Sequence, residues 1–364
     1  MPEIWLKYGS TEVVLDIKAE NLLDYVTEEL EHMNDEQINA KLDAVTVKKD
    51  AHIAVLDTSL YVAKLALMLV DSMKKRSTER IGIDAPADVL NAYRNAFQDK
   101  GVQIGKLSND KFASNNAIFL SRTSFDPLFG YSGAPTSLLK YFAKEEMLDA
   151  YKARDGDMPK PGVANNALSI AHKFADRFDA TSIEAIMGTR GFADIIINKP
   201  SKAHADAISK LESLGTVEVE KGKASIASSG NGHSTLSHAL TSLWNCIDAV
   251  KEEGSITLLA ECRDGFGSSA LEALVEGKMS MDDAYSPAEY HDGLENLLYL
   301  NEVGEKYELA LISTLPDYYT KNRLGFKTFR RIKDALHYML NVHGPKQKVL
   351  VVSDASKVLL KPKS

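Results

Sequence analysis

The chain opens with EIWLKYGSTEVVLDI, where apolar and polar residues alternate on both sides of a Gly-Ser turn. A period of two belongs to strands with one buried face, so the segment predicts a hairpin. A charged stretch over residues 21–42 follows and reads as helix. A rhythm then sets in. Short apolar runs at 52–56, 80–83 and 102–104 predict strands, and amphipathic stretches at 59–75 and 88–99 predict helices. Gly101 supplies the residue type that ends many helices in a left-handed conformation. Such alternation is the mark of a parallel sheet covered by helices. A strand at 117–121 opens onto the loop RTSFDPLFGYSGAPTS, and Pro135 suits the first turn of a helix reaching about residue 154.

After the breaker-rich RDGDMPKPG, the pattern predicts helix 166–178, strand 193–197 and helix 202–214. Alternation resumes with strand 224–227, helix 235–251, strand 255–261, helix 269–276 and strand 309–313. The tail KVLVVSDASKVLL reads as a further strand and turn. A chain of 364 residues exceeds the size at which one core keeps growing. Two α/β domains are therefore expected, residues 1–211 and 212–346, with 347–364 able to complete the first.

Composition narrows the function. The net charge of -8 argues against a phosphate-binding surface, which needs clustered Lys and Arg, so nucleic acid is not expected as a partner. The Lys74, Lys75, Arg76 run reads as the solvated end of a helix. No apolar run reaches the roughly 18 residues of a membrane span, and MPEIWLKYGS lacks the regions of a signal peptide. Cys246 and Cys262 are too few for a disulfide framework or a thiolate zinc site, which favours a reducing, cytoplasmic location.

Several segments carry a resemblance through their order and spacing. They are WLKYGSTEVVLDIKAENL near the start, GYSGAPTSLL at 130–139, KAHADAIS at 202–209, the stretch 228–276 with GNGHSTLSHALTSL and SITLLAECRDGFGSSALE, and TLPD at 314–317 with the later KVLVVSD. In these the chain resembles the lactate-racemase-like family, whose members turn over 2-hydroxy acids with a nickel pincer cofactor. The resemblance implies a two-domain α/β architecture, with parallel or mixed sheets flanked by helices and an interdomain cleft. It also implies where the chemistry should sit. The lysine that tethers the cofactor falls on Thr136 and its neighbouring arginine on Pro135. A catalytic histidine falls at or near Asp126. An aspartate-histidine-threonine-arginine run falls on Asp57, Thr58, Ser59 and Leu60, which keep only the acid. Another histidine finds only the DAPAD stretch at 84–88. A nickel-binding histidine is due near Lys152, yet no histidine lies between His52 and His172. A glutamine and a lysine that contact substrate and cofactor fall on His238 and Thr241. Lys140, one helical turn after Thr136, would share its face and could stand in as the tether. Removing one positioned acid or base costs about 10²–10⁴ in rate, so these losses weigh heavily.

Each candidate also has a plainer reading. Asp57, between strand and helix, is a ligand position of open sheets or a helix cap, and the cap is favoured. His233 and His238 are five apart, which does not suit a metal pair on one helical face. They are either ligand contacts or polar helix-end residues. Cys262 stands beside Arg263 but has no assignable histidine, so a buried, inert thiol is favoured over a nucleophile. The DGFGSS loop, with Arg263, Asp264 and Gly265, could offer amides to an anion or simply turn tightly. It and the loop carrying Tyr131, Ser132 and Thr136 match segments that, in the family, face the cleft. The aromatic series Tyr93, Phe97, Tyr141 and Phe142 reads as packing.

The expectation is a divergent lactate-racemase-like protein without nickel-pincer racemase activity, with no metal or cofactor, that binds or acts on a small anionic, hydroxy-acid-like metabolite. Asp126 and His238 are the catalytic candidates, and whether the protein is an enzyme stays open. One alternative is an active racemase or epimerase with rearranged residues, using Lys140 or His238. Another is a non-catalytic regulatory or interaction protein. A homo-oligomer is compatible with the sequence.

Overall fold

The computed structural model describes residues 3–27, 30–46, 50–76, 80–108, 117–154, 156–231 and 233–363. Asp155 of the breaker-rich segment and Gly232 of the GNGHST motif lie outside the described residues.

Two sheets organise the chain. The first runs, edge to edge, Phe192–Asn198, Thr181–Met187, Ala117–Asp126, Asp50–Val55, Arg80–Ala85 and Gln103–Lys106. Its pairings are parallel except the first, and Gly130–Ser132 folds back antiparallel on the end of Ala117–Asp126. The second runs Lys327–Thr328, Glu308–Ile312, Val250–Leu259, Gly222–Ser228, Val349–Val352 and Leu22–Val26, parallel throughout. Strands covered on both faces read as continuous apolar runs, as in LALI at 309–312 and VLVV at 349–352. The helix Leu60–Lys75 buries Val62, Leu65, Ala66, Leu69, Val70 and Met73, the 3.6-residue stripe that a covering helix requires.

The expected amino-terminal hairpin is present as Glu3–Tyr8 and Thr11–Asp16. It turns at Gly9, where φ is 59° and a β-carbon would sit 1.7 Å from the Glu261 carboxylate. Any other residue would be strained and would displace that side chain. Ile4, Leu6, Leu15 and Ile17 pack with Ala224, Ile226 and Val351 of the second sheet.

Several expectations need correction. Residues 21–42 are not one helix: Leu22–Val26 is a strand beside Val349–Val352, and helix covers only Asp35–Asp43, begun by a capping box of Asn34 and Gln37. The boundaries 1–211 and 347–364 therefore cut across the sheets, because residues 3–26 and the Val349–Val352 strand both belong with the second sheet, joined by pairing across most of the chain. The helix expected to reach residue 154 breaks at Ala143, which has φ −141° and ψ 73°, into Ala134–Phe142 and Lys144–Lys152. Helix 235–251 shortens to Leu236–Trp244, and the next strand begins at Val250. Strand Thr181–Met187 and the helices Leu294–Gly304 and Ile332–His343 were not foreseen. Among the described residues no helix is long and apolar enough to cross a membrane.

Each sheet reverses its strand order once beside a central strand. In the first the reversal lies between Asp50–Val55 and Ala117–Asp126, and in the second between Gly222–Ser228 and Val349–Val352. Loops leaving the carboxyl ends of strands at such reversals are where open sheets of this kind hold ligands.

Candidate functional site

The first sheet supplies Asp57, Arg122, Asp126 and Lys140. Asp57 follows Asp50–Val55; its Oδ1 accepts from the Ser59 amide at 2.6 Å, and its Oδ2 lies 3.3 Å from Nε of Arg122 on the neighbouring strand. The helix cap expected of Asp57 belongs instead to Ser59, whose Oγ accepts from the Tyr61 amide at 3.3 Å. That frees the Asp57 carboxylate to bridge the strand reversal. Asp126 ends its strand with Oδ1 accepting from the amides of Leu128 and Phe129, both at 2.8 Å, so half of the carboxylate fixes a turn. Lys140 projects from the helix Ala134–Phe142 and places Nζ 3.6 Å from both Asp292 and Glu295.

The second sheet supplies the opposing groups. His233 and His238 lie in the loop and helix after Gly222–Ser228, with ring centroids 6.0 Å apart. His233 is buried, and among the described residues it makes no hydrogen bond. Burial drives its imidazole well below the ordinary range, and the positive charges of Lys357 and Arg122 drive it further. Lys357 arrives from the segment after Val349–Val352. His238 is also lowered, first by burial and then by Arg122, with Asp57 and Asp292 opposing. Both rings are thus neutral near pH 7, each with one donor and one acceptor nitrogen.

Ahead of the helix Leu294–Gly304 stand Tyr290 and Asp292, with Glu295 in its first turn. The Tyr290 hydroxyl donates to Glu295 at 3.0 Å. Burial raises Glu295, Lys140 pulls it back, and Asp292 and Asp126 raise it again. Burial alone would lower Lys140, but Tyr290, Glu295, Asp292 and Asp126 more than offset it and hold the ammonium form firmly. The Glu295 side chain is only 6% accessible, whereas that of Lys140 is 28% and that of Asp292 59% accessible. His238 is likewise exposed to solvent, so the group is not a sealed core network.

Other residues singled out from sequence lie differently. Tyr131 is buried, its hydroxyl lying between Gly162 O, at 2.8 Å, and the Glu212 carboxylate. Ser132 shares a hydrogen bond with Ser124 at 2.8 Å, and its carbonyl meets Nε2 of His204 at 3.1 Å. The Thr136 hydroxyl is engaged twice with Gly133, accepting from its amide and donating to its carbonyl, both at 3.0 Å. Thr241 is half-buried one turn beyond His238. Arg263 and Asp264 are exposed and lie 3.8 Å from one another. The amides of Asp264 and Gly265 are used by the carbonyls of Ser234 and Cys262, so these two are not presented to an anion. Cys262 has φ 52°, and burial pushes its thiol up to about 12, the inert reading.

Arg122, Tyr290, Asp292, Glu295 and Lys357 were not anticipated. Arg122 lies one residue past the expected end of its strand, in a segment, RTSFD, that continues the strand. A depression of about 1130 Å3, lined in part by Lys306, Arg323, Lys327 and Tyr338, sits at the edge of the second sheet and shares no residue with the charged cluster. Convergent chemistry rather than volume marks the site.

No family model matches the chain, and no curated protein matches it. Solved structures do. The lactate racemase apoprotein from Thermoanaerobacterium thermosaccharolyticum superposes with a TM-score of 0.78 at 14% identity, over 99% of this chain and 100% of that one. The fold is lactate-racemase-like. A protein of known structure from Thermotoga maritima gives 0.68 at 11% identity, over 91% of this chain and 99% of that one. Identities this low speak to architecture alone.

On this lactate-racemase-like fold, the two positions for a tether are Thr136 and Lys140. Thr136 is 2% accessible and closes its own helix turn. The Lys140 amine is held as an ammonium by two carboxylates, the unreactive form. Lys152, near which a metal-binding histidine would be due, is exposed at the end of its helix. Among the described residues no three His, Cys, Asp or Glu side chains gather as a metal site.

Proposed function

We propose that the protein binds a small, anionic, hydroxy-acid-like metabolite in a cleft between its two sheets, and that it does so without nickel-pincer racemase chemistry. The observation that carries this reading is His233. Its imidazole is mostly buried and neutral, and among the described residues it makes no hydrogen bond to protein, which leaves its ring nitrogens available to a ligand. It sits in the field of Lys357 and Arg122, within a chain whose overall charge is -8. A ligand carboxylate there would accept from the ring N–H and be drawn by the charges of Lys357 and Arg122. A hydroxyl beside the carboxylate comes within the province of His238, a neutral and accessible imidazole.

The residues at the tether and metal positions do not fit a covalently held nickel cofactor, so no step is routed through one. A second reading rests on His238 itself: a neutral imidazole open to solvent and flanked by Asp57 and Arg122 is equipped to exchange a proton with a ligand.

The test uses protein produced alongside the enzymes that make the nickel cofactor. Calorimetry with 2-hydroxybutyrate should show binding, and His233→Ala should weaken it by about tenfold or more. Neither bound nickel nor lactate racemisation should be found. Racemisation with stoichiometric nickel, or affinity indifferent to His233→Ala, contradicts the proposal. Proton exchange at the α-carbon in deuterated water, abolished by His238→Gln, would establish the second reading.

A further inference from the structure

Three loops leave the carboxyl ends of adjacent strands in the second sheet. The first follows Gly222–Ser228 and leads through His233 to His238. The second follows Val250–Leu259 and carries Phe266, and the third follows Glu308–Ile312 and runs into the short helix Asp317–Asn322 with Tyr318 and Tyr319. Backbone hydrogen bonds fasten them side by side. The Asp264 amide donates to Ser234 O at 2.9 Å, that of Leu236 to Gly265 O at 3.0 Å and that of Ser237 to Phe266 O at 2.9 Å. The second loop therefore runs along the stretch between the two histidines, and Phe266 is held beside the residue that precedes His238. Thr314 ties the third loop to the second, its amide and hydroxyl donating to Glu261 O at 3.0 and 2.8 Å.

Aromatic rings gather on these two loops. Phe266 meets Tyr319 edge to face with centroids 6.3 Å apart, and Tyr319 meets Tyr318 in the same way at 5.4 Å. Core packing does not account for them: Tyr318 is 62% and Tyr319 38% accessible, and Phe266 is only half-buried. A lone exposed ring is ordinary on a protein surface, whereas rings in mutual contact make an apolar patch of the kind that marks a binding surface. The loop that delivers Phe266 also bends at Cys262, whose φ of 52° is unfavourable for a residue other than glycine. Continuity decides the occupant. The patch adjoins the histidine loop at the ligand-holding end of the sheet, so it suits the apolar part of whatever the histidines hold by its polar part.

We infer that the preferred ligand is a 2-hydroxy acid with an aromatic substituent, whose ring lies against Phe266 and Tyr319 while its carboxylate meets His233. The inference rests on the proposed anion-binding reading and names the rest of the ligand. Ring-on-ring contact favours an aryl group over a short alkyl one both by the apolar area it covers and by edge-to-face attraction.

Calorimetric titrations of the full chain compare 3-phenyllactate with 2-hydroxybutyrate, which share a hydroxy-acid head and differ in the ring. Phenyllactate should bind about tenfold tighter or more. Tyr319→Ser, at an accessible position, and Phe266→Ala should each cut that preference to about threefold or less, with thermal melts showing which variants are folded. Equal binding of the two acids, tighter binding of 2-hydroxybutyrate, or a preference undiminished in the folded variants overturns the inference and leaves the anion-binding reading standing. Failure of both acids to bind overturns both.

Discussion

Replacing Glu184 by glutamine isolates a buried carboxyl that anchors the helix carrying Thr136 and Lys140. Glu184 stands in the strand Thr181–Met187 at 0% accessibility. It accepts from the Ala134 amide at 2.9 Å, from Thr123 at 3.0 Å and from Ser182 at 3.3 Å. Burial raises its pKa from 4.5 to about 7; the three donors pull it back, and the charge of Asp57 adds to the rise. At about 1.4 kcal/mol per unit, that rise corresponds to roughly 3 kcal/mol. Between these values the folded protein keeps a proton that the unfolded chain has released. The group's favourable contribution is therefore complete below pH 4.5 and is lost as pH climbs through about 7. Glutamine preserves the shape: its carbonyl can accept from Ala134 and Ser182, and its amide can donate to a reoriented Thr123 hydroxyl. Urea denaturation of both proteins between about pH 5 and pH 8 measures the effect, since other titrating groups cancel in the difference. The variant should gain on the wild type by up to roughly 3 kcal/mol across that range. A difference that stays constant, or that shrinks as pH rises, refutes the assignment of Glu184 as a charge held against its burial.

Two further outcomes follow from side-chain placement. Thr136→Val should lower stability by about 1 kcal/mol in urea denaturation, because a helix-start hydroxyl is lost, while calorimetric affinity for 2-hydroxybutyrate stays within about twofold; a large affinity loss with unchanged stability would return Thr136 to the binding residues. Cys246 and Cys262, both buried with thiols pushed up by burial, should react with a colorimetric thiol reagent at neutral pH only as fast as the protein unfolds, and rapid native-state labelling would contradict their inertness.

The alternation of strands and helices was legible because its causes are local. Strand Asp50–Val55 and helix Leu60–Lys75 announce themselves through apolar spacing and the Ser59 cap. Leu22–Val26 was misread because its partner, Val349–Val352, lies at the other end of the chain, and pairing, not propensity, makes it a strand. Thr181–Met187 was hidden by Glu184, a charged residue inside an apolar run whose burial depends on donors from Thr123 and Ala134. The break at Ala143 carries no glycine or proline to signal it. At the site, Asp57, Asp126, Lys140, His233 and His238 were read, since strand ends and a family resemblance point to them. Arg122 and Lys357 escaped notice because only the two strand-order reversals bring them to the histidines. Asp292 and Glu295 escaped it because the helix that begins beside them was not foreseen.

A crystal structure of the protein with 2-hydroxybutyrate bears most directly on the central claim. The account places the ligand carboxylate within hydrogen-bonding distance of His233 and beside Arg122, with the Lys140 amine unmodified and still against Asp292 and Glu295. A ligand lodged away from His233, or a metal-bearing nucleotide joined to Lys140, would contradict it.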